Sequence, residues 1–207
     1  LLSFNKVKKL FLIFFTKNII WYKALFKHFV APSTEHINFL NSFKKIDLFI
    51  DVGANRGQFT LAAISLFPDS KFICFEPLSS ANKVFKKIFA KNENVKIYQS
   101  AIGNIDSTMK INISQKEDSS SLLGITDLQN RIFPGTEKSK TEVVPVSRIS
   151  NYISNSDLCG STLIKIDVQG YELEVLKGAD NILENINYVY VECSFFELYT
   201  NQPKVSE

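Results

Sequence analysis

Asp51, Gly53, Gly57 and Glu76 are the residues whose types and spacing best suit a chemical task. The string Ile50-Asp51-Val52-Gly53-Ala54-Asn55-Arg56-Gly57 follows an apolar run and opens an amphipathic one, so it reads as a strand-to-helix junction. Gly53 and Gly57 let the backbone turn tightly and approach a ligand closely. Asp51 falls at the carboxyl end of the strand, where open α/β sheets bind ligands. Glu76 follows Gly57 by nineteen residues and ends the next apolar run, just before Pro77. An acid there is placed to accept hydrogen bonds from both hydroxyls of a ribose. A plain tight turn would explain D-x-G-x-x-x-G alone; with Glu76 in register, the set describes a site for a nucleoside-containing cofactor.

The glycine spacing narrows the choice. A dinucleotide site wants G-x-G-x-x-G, which brings backbone amides to a pyrophosphate at a helix N-terminus. Here the spacing is G-x-x-x-G, and an acid stands two residues before the first glycine. A carboxylate repels a pyrophosphate, but it suits a ligand carrying an ammonium, a sulfonium and no phosphate. S-adenosylmethionine has that chemistry.

The elements that must position these residues alternate strand and helix. Strands are expected at 47–51, 71–76, 95–100, 162–167 and 188–192, with helices at 57–67, 79–91 and 171–178. Ser79 is the expected N-cap of the second helix. Residues 109–113 suggest a short extra strand, 142–146 a weak one and 148–153 a short helix, while the polar stretch 114–140 reads as a long surface loop. This alternation implies an α/β fold with a mostly parallel sheet covered by helices on both faces.

Charge divides the chain unevenly. Its net charge of +3 combines six lysines and no acid in residues 1–34 with 18 basic against 21 acidic residues in 35–207. A mildly acidic body argues against a nucleic-acid partner. The three cysteines, Cys74, Cys159 and Cys193, are widely spaced and odd in number, which disfavours a disulfide framework or zinc site and suits a reducing cytoplasm. Residues 4–30 carry Phe4, Val7, Phe11, Phe14, Tyr22, Leu25 and Phe29 at helical period, with lysines on another face. Two readings stand: a cap helix buried on the body, or a basic helix lying on an anionic membrane surface through residues 1–30. Lys17, Asn18 and Lys23 interrupt the segment, so neither a membrane span nor a signal peptide is expected.

IDVGANRGQFT at 50–60, FEP at 75–77, SAIGN at 100–104, LIKIDVQGYELEVLKGA at 163–179, YVYVECSF at 188–195 and FELYTNQ at 196–202 together resemble the FkbM family of S-adenosylmethionine-dependent methyltransferases. The resemblance covers roughly residues 45–202. It implies a class I methyltransferase, Rossmann-like domain at 45–207 behind an N-terminal helical segment at 1–44. It also implies O-methylation of a sugar, glycolipid or natural-product hydroxyl. By the same resemblance, Asp51, Gly53, Ala54, Asn55 and Gly57 line the methionine and ribose portions of the cofactor, and Glu76 holds the ribose. Ser100 and Ala101 meet the adenine, Asp167 stands beside the methyl donor, and Glu172 and Glu192 complete an acidic mouth. Ser119-Ser120-Ser121-Leu122 matches a Ser-rich family segment of substrate or lid type. The family's Leu-Asp pair is replaced by Ile149-Ser150. With Leu1 in first place and the chain ending 15 residues after Glu192, a truncated piece is expected, carrying five of the seven family strands.

Asp167 is the preferred base for an acceptor hydroxyl, with Glu172 and Glu192 as further catalytic candidates. The alternative for Glu172 is service to the first turn of its helix through the macrodipole, and for Glu192 that of an ordinary end-of-strand acid. Asp167 and Glu192 offer two carboxylates to a divalent ion, which by themselves do not make a metal site. Lys165, in a buried strand, is expected to reach an edge or an acid. His28 and His36 precede the first strand and read as surface or packing residues; a histidine base would require that segment to fold over the cofactor. Competing functions are a nicotinamide-dependent oxidoreductase and a non-catalytic membrane-surface module.

Overall fold

The computed structural model describes residues 18–158 and 160–206; residues 4–17 of the helical segment expected over 4–30, and Cys159, lie outside them. The described chain runs α1 (Ile19–His28), α2 (Ile37–Leu40), β1 (Leu48–Val52), α3 (Gln58–Leu66), β2 (Lys71–Phe75), α4 (Ser79–Phe89), β3 (Val95–Tyr98), β4 (Ala101–Ile102) and β5 (Ser107–Ser114). It continues through α5 (Asp127–Ile132), β6 (Lys138–Ser147), β7 (Thr162–Ile166), α6 (Glu172–Gly178) and β8 (Tyr188–Val191).

Five strands form one sheet in the order β3-β2-β1-β7-β8, every neighbouring pair parallel. The strand–helix alternation in the sequence therefore translates directly into a Rossmann-like sheet. Every residue of β1 and β7 is buried, as expected for central strands covered on both faces. The pleat sends Phe49, Phe72, Cys74 and Leu163 to one face, where α1, α3 and α4 pack. Leu48, Ile50, Val52, Ile164 and Ile166 go to the other, against Val175 of α6, Ala179 at its C-cap, and Ile149 and Ile153. The order reverses beside β1, with β2 and β3 on one side and β7 and β8 on the other. Such a switch point leaves a crevice at the strands' carboxyl ends.

The described part of the aromatic head packs as a cap. Asn18 Oδ1 accepts from the N–H groups of Ile20 (3.1 Å) and Trp21 (3.4 Å), starting α1. Trp21 and Ala24 are buried against the body, and Trp21 Nε1 donates to the Leu61 carbonyl of α3 at 2.8 Å. Ile19, Phe26 and Phe29 remain exposed on the same helix and its C-cap. Among the described residues no helix is long and apolar enough to cross a membrane.

The structure corrects several local expectations. Ser79 is the first residue of α4 rather than its N-cap; Leu78 takes that place. The orphan amides are met by acids from elsewhere: Glu142 Oε1 accepts from Ser79 N–H, and Glu76 Oε1 from Leu78 N–H. The strand expected at 95–100 ends at Tyr98, and the chain leaves the main sheet so that Ala101–Ile102 joins a second sheet of order β4-β6-β5. The segment 114–140 is not simply a loop: it holds a 3-10 turn at Glu117–Ser119, α5 and the start of β6. The first four residues of β6 are exposed. They owe their extended form to antiparallel pairing with β5, which no hydrophobic alternation announces.

Trp21→Ala removes a buried indole and its hydrogen bond, so it should cost about 3–5 kcal/mol of stability. Chemical denaturation would read this as a lower midpoint; an unchanged midpoint would mean α1 is not docked on α3.

Candidate active site

A cleft of about 320 Å³ opens at the carboxyl ends of β1, β2 and β7, large enough for a small-molecule ligand. Its floor is set by three charges. In lateral register, Asp51 of β1 lies between Cys74 of β2 and Lys165 of β7. Lys165 Nζ stands 3.3 Å from Asp51 Oδ1 and 3.4 Å from Asp167 Oδ2, and donates to the Gly53 carbonyl at 3.1 Å. The Asp51 contact lacks hydrogen-bond geometry, so charge holds it. Thr60 Oγ1 of α3 completes Asp51 by donating to Oδ2 at 2.9 Å. Burial opposes the Lys165 charge, but Asp167 and Asp51 outweigh it and raise the ammonium's pKa.

The turn after β1 is built around that floor. Gly53 has φ +81°, and a Cβ there would overlap the Asp167 carbonyl, so only glycine lets β1 and β7 end this close together. Asn55, also left-handed at φ 48°, donates its N–H to Glu76 Oε2 at 2.8 Å. The second oxygen of Glu76 accepts from Leu78 N–H at 2.7 Å. Glu76 thus ties the glycine turn to the end of β2. Burial nonetheless pushes its carboxyl up to about 7, against the pull of the two amides.

Of the expected residues, Gly53, Ala54, Asn55, Glu76, Ser100, Ala101 and Asp167 line the cleft. Asp51 and Gly57 do not. Asp51 is fully buried behind the wall and holds Lys165. Gly57 (φ +92°) is needed for packing, since a Cβ would lie 2.6 Å from Phe89 Cε2 and 3.0 Å from Phe85 Cδ2. Glu172 and Glu192 border a smaller neighbouring hollow, with Gln169 shared by both spaces. Glu172 Oε1 accepts from Val168 and Gly170 N–H at 3.2 and 3.0 Å. Its task is to hold the 168–170 turn, which carries left-handed Gln169 and Gly170. That is more than a macrodipole effect at the start of α6.

Asp167 and Glu192 form a carboxylate pair. Burial works against the Asp167 charge, yet Lys165 and Gln169 Nε2 (2.8 Å) keep its carboxyl below the usual range. The negative Asp167, with added desolvation, pushes Glu192 up to about 7. The pair therefore holds one proton below about pH 7 and releases it above. Among the described residues no group of three or more His, Cys, Asp or Glu side chains is arranged to hold a metal ion.

Sequence reasoning missed several cleft residues. Lys165 reaches two acids as expected, but it also lines the cleft. Ser33, Glu35 and His36 line it too, because the segment before β1 folds over its rim. Beside the cleft, in the smaller hollow, fully buried Tyr199 has its one hydroxyl proton shared between Gln169 Oε1 (2.7 Å) and the Ser119 carbonyl (3.1 Å). The Ser-rich segment lies over the opening: Ser120 and Leu122 line it, Ser121 Oγ donates to the Gln169 carbonyl at 2.6 Å, and Glu117 pairs with Arg56 at 2.6 Å. No local pattern announces these contacts; only the Ser-rich string carried a hint.

Residues 51–207 match the model of the methyltransferase FkbM domain. Methyltransferase 1 of Beauveria bassiana is 24% identical over 151 residues, 67% of this chain and 61% of that protein. The 2-O-methyltransferase NoeI of Sinorhizobium fredii is 25% identical over 177 residues, 81% of this chain and 72% of that protein. The solved FkbM methyltransferase of Methylobacillus flagellatus superimposes with a TM-score of 0.44 at 16% identity, over 67% of this chain and 30% of that one. The chain thus spans about six tenths of the length of the Beauveria relative.

Two measurements test the site's electrostatics. The folded pKa of Glu76 lies above its ordinary 4.5. Its contribution is therefore complete below that value and lost as pH rises through about 7. The melting temperature of the wild type relative to Glu76→Gln should fall from pH 5 to pH 8; a constant gap would contradict the raised carboxyl. Lys165→Met strands buried Asp51 and should cost about 3–5 kcal/mol, largely recovered in Asp51→Asn/Lys165→Met. Equal losses in the single and double variants would refute the pairing.

Proposed function

The chain belongs to the FkbM methyltransferase family, and on that premise we propose that it binds S-adenosylmethionine in this cleft and methylates a hydroxyl of a sugar, glycolipid or other natural product. The observation that carries the reading is the meeting, in one cleft, of two buried or half-buried carboxylates with different tasks. Glu76 secures the glycine turn and keeps lone pairs for ribose hydroxyls. Asp167 keeps its charge near neutral pH, which suits an ammonium and a sulfonium. Val52, Phe75, Ile102 and Ile111 give apolar walls to a planar base, beside Ser100 and Ala101. When bound, S-adenosylmethionine supplies a methyl group made electrophilic by its sulfonium.

The chain's own residues then orient the acceptor and manage its proton. Asp167 is a weak base, because Lys165 and Gln169 stabilise its charge. Asp167 faces the acceptor in the cleft and passes the hydroxyl proton to its paired Glu192, whose carboxyl, pushed up to about 7, is the better resting place for it. Glu172 and Tyr199 hold the 168–170 turn, whose Gln169 donates to Asp167. NoeI is an oxygen methyltransferase by name, which supports a hydroxyl acceptor. A pyrophosphate-binding oxidoreductase fits less well, because Gly57 faces Phe85 and Phe89 instead of a ligand.

The setting we infer is cytoplasmic, with peripheral contact at the inner membrane face. The exposed Ile19 and Phe29 stand beside exposed Lys23 and Lys27, the pairing of apolar and basic groups that an anionic lipid surface favours.

Titration calorimetry with S-adenosylmethionine should show binding to the wild type and none to Glu76→Ala. Methyl-labelled cofactor, incubated with a pool of hydroxylated acceptors, should yield a labelled product by mass spectrometry. Unchanged cofactor affinity in Glu76→Ala would remove the ribose assignment.

A further inference from the structure

The segment before β1 lies outside the family domain at 51–207, yet it forms one end of the cleft. Ser33 N–H donates to the Gln58 carbonyl at the start of α3 at 2.9 Å, which pins the segment to the glycine turn. His36 sits edge-on between Phe59 of α3 (5.4 Å) and Tyr190 of β8 (5.6 Å). Tyr190 is the lateral neighbour of Lys165, and the charges of Glu35, Lys165, Asp167 and Asp51 all reach the imidazole, Glu35 most strongly. Ser33 and His36 therefore stand at the acid-and-lysine end of the cleft.

Two atoms here are unexplained by the protein alone. Ser33 Oγ and His36 Nδ1 are buried and have no hydrogen-bond partner among the described residues. Ser33 as a whole is only 4% exposed. Leaving such groups unsatisfied is costly, so a pair of them three residues apart on a cleft wall points to a ligand. Lys165 does not answer the same need, because its ammonium is already engaged by Asp51, Asp167 and the Gly53 carbonyl. An anionic group entering this end must find its donors elsewhere. A hydroxyl proton rotates to suit its partner, and a neutral imidazole keeps one N–H. Burial lowers the His36 pKa, which is consistent with the neutral form.

We propose that Ser33 and His36 form the subsite for the carboxylate of the cofactor's amino-acid end, with Asp167 serving the ammonium. This rests on the cofactor reading given above. The aromatic cap then has a task beyond covering the sheet: through Trp21 and Leu61 it holds residues 33–36 against α3.

The test compares two nucleosides on the full chain. S-adenosylhomocysteine carries the amino-acid end; 5′-methylthioadenosine has the same nucleoside and sulfur but lacks it. In calorimetry, Ser33→Ala and His36→Phe should each weaken S-adenosylhomocysteine by about tenfold or more and shift 5′-methylthioadenosine by less than about twofold. Melting temperatures should hold or rise, because each change removes a buried unsatisfied group and His36→Phe keeps the ring packing. Equal losses on both nucleosides, or unchanged affinity for S-adenosylhomocysteine, would overturn the subsite while leaving the cofactor reading intact. A wild type that binds neither nucleoside would overturn the cofactor reading and this inference together.

Discussion

Lys165 is the charge on which the site's geometry depends. Its ammonium lies in a sheet interior, where an isolated charge would be very costly to bury. Asp51 from β1, Asp167 from the end of β7 and the Gly53 carbonyl make it tolerable. These partners belong to the two central strands and the turn between sheet and α3. One buried cation thereby fixes how closely β1 and β7 end, and glycine at 53 is the backbone consequence. It also decides which carboxylate stays charged. Asp167 is held ionised by Lys165, and that charge in turn pushes Glu192 up to about 7. Two acids of the same kind acquire different protonation behaviour from one neighbour.

Around this centre the structure closes the cleft with elements from both ends of the chain. The helices on one face carry the cap and residues 33–36. The second sheet delivers Ile111 and the Ser-rich segment from the other side. Tyr199, far along the sequence, ties that segment to Gln169. The walls are apolar where a base would rest and acidic where positive charge would rest. A cleft graded in this way orients a ligand that is apolar at one end and charged at the other.

Some of this was legible in the residues. The buried strands of the main sheet are short apolar runs, and a run buried on both faces needs no help from distant partners to be recognised. Glu76 stood in register with the glycine turn because the β–α–β unit has a nearly constant length. Asp51 was legible as important but not in its task, since a carboxylate at a strand end looks the same whether it meets a ligand or a lysine. Gly57 misled for a similar reason: glycine is required equally by a close ligand and by two phenylalanine rings. Ser79 looked like a cap, but acids from Glu142 and Glu76 supply that function across the fold.

What the sequence determined by itself was the alternation of strand and helix, the nucleoside-type turn with its acid, and the family resemblance. These depend on residues close together in the chain, where periodicity and turn chemistry act directly. What only the tertiary structure decided was which acids face the cleft, which proton the Asp167–Glu192 pair retains, how β6 pairs, and that Ser33 and His36 belong to the site. Each of these depends on contacts between residues distant in sequence. Burial and charge are properties of an environment, and that environment exists only once the segment before β1, the central strands and the Ser-rich segment have come together.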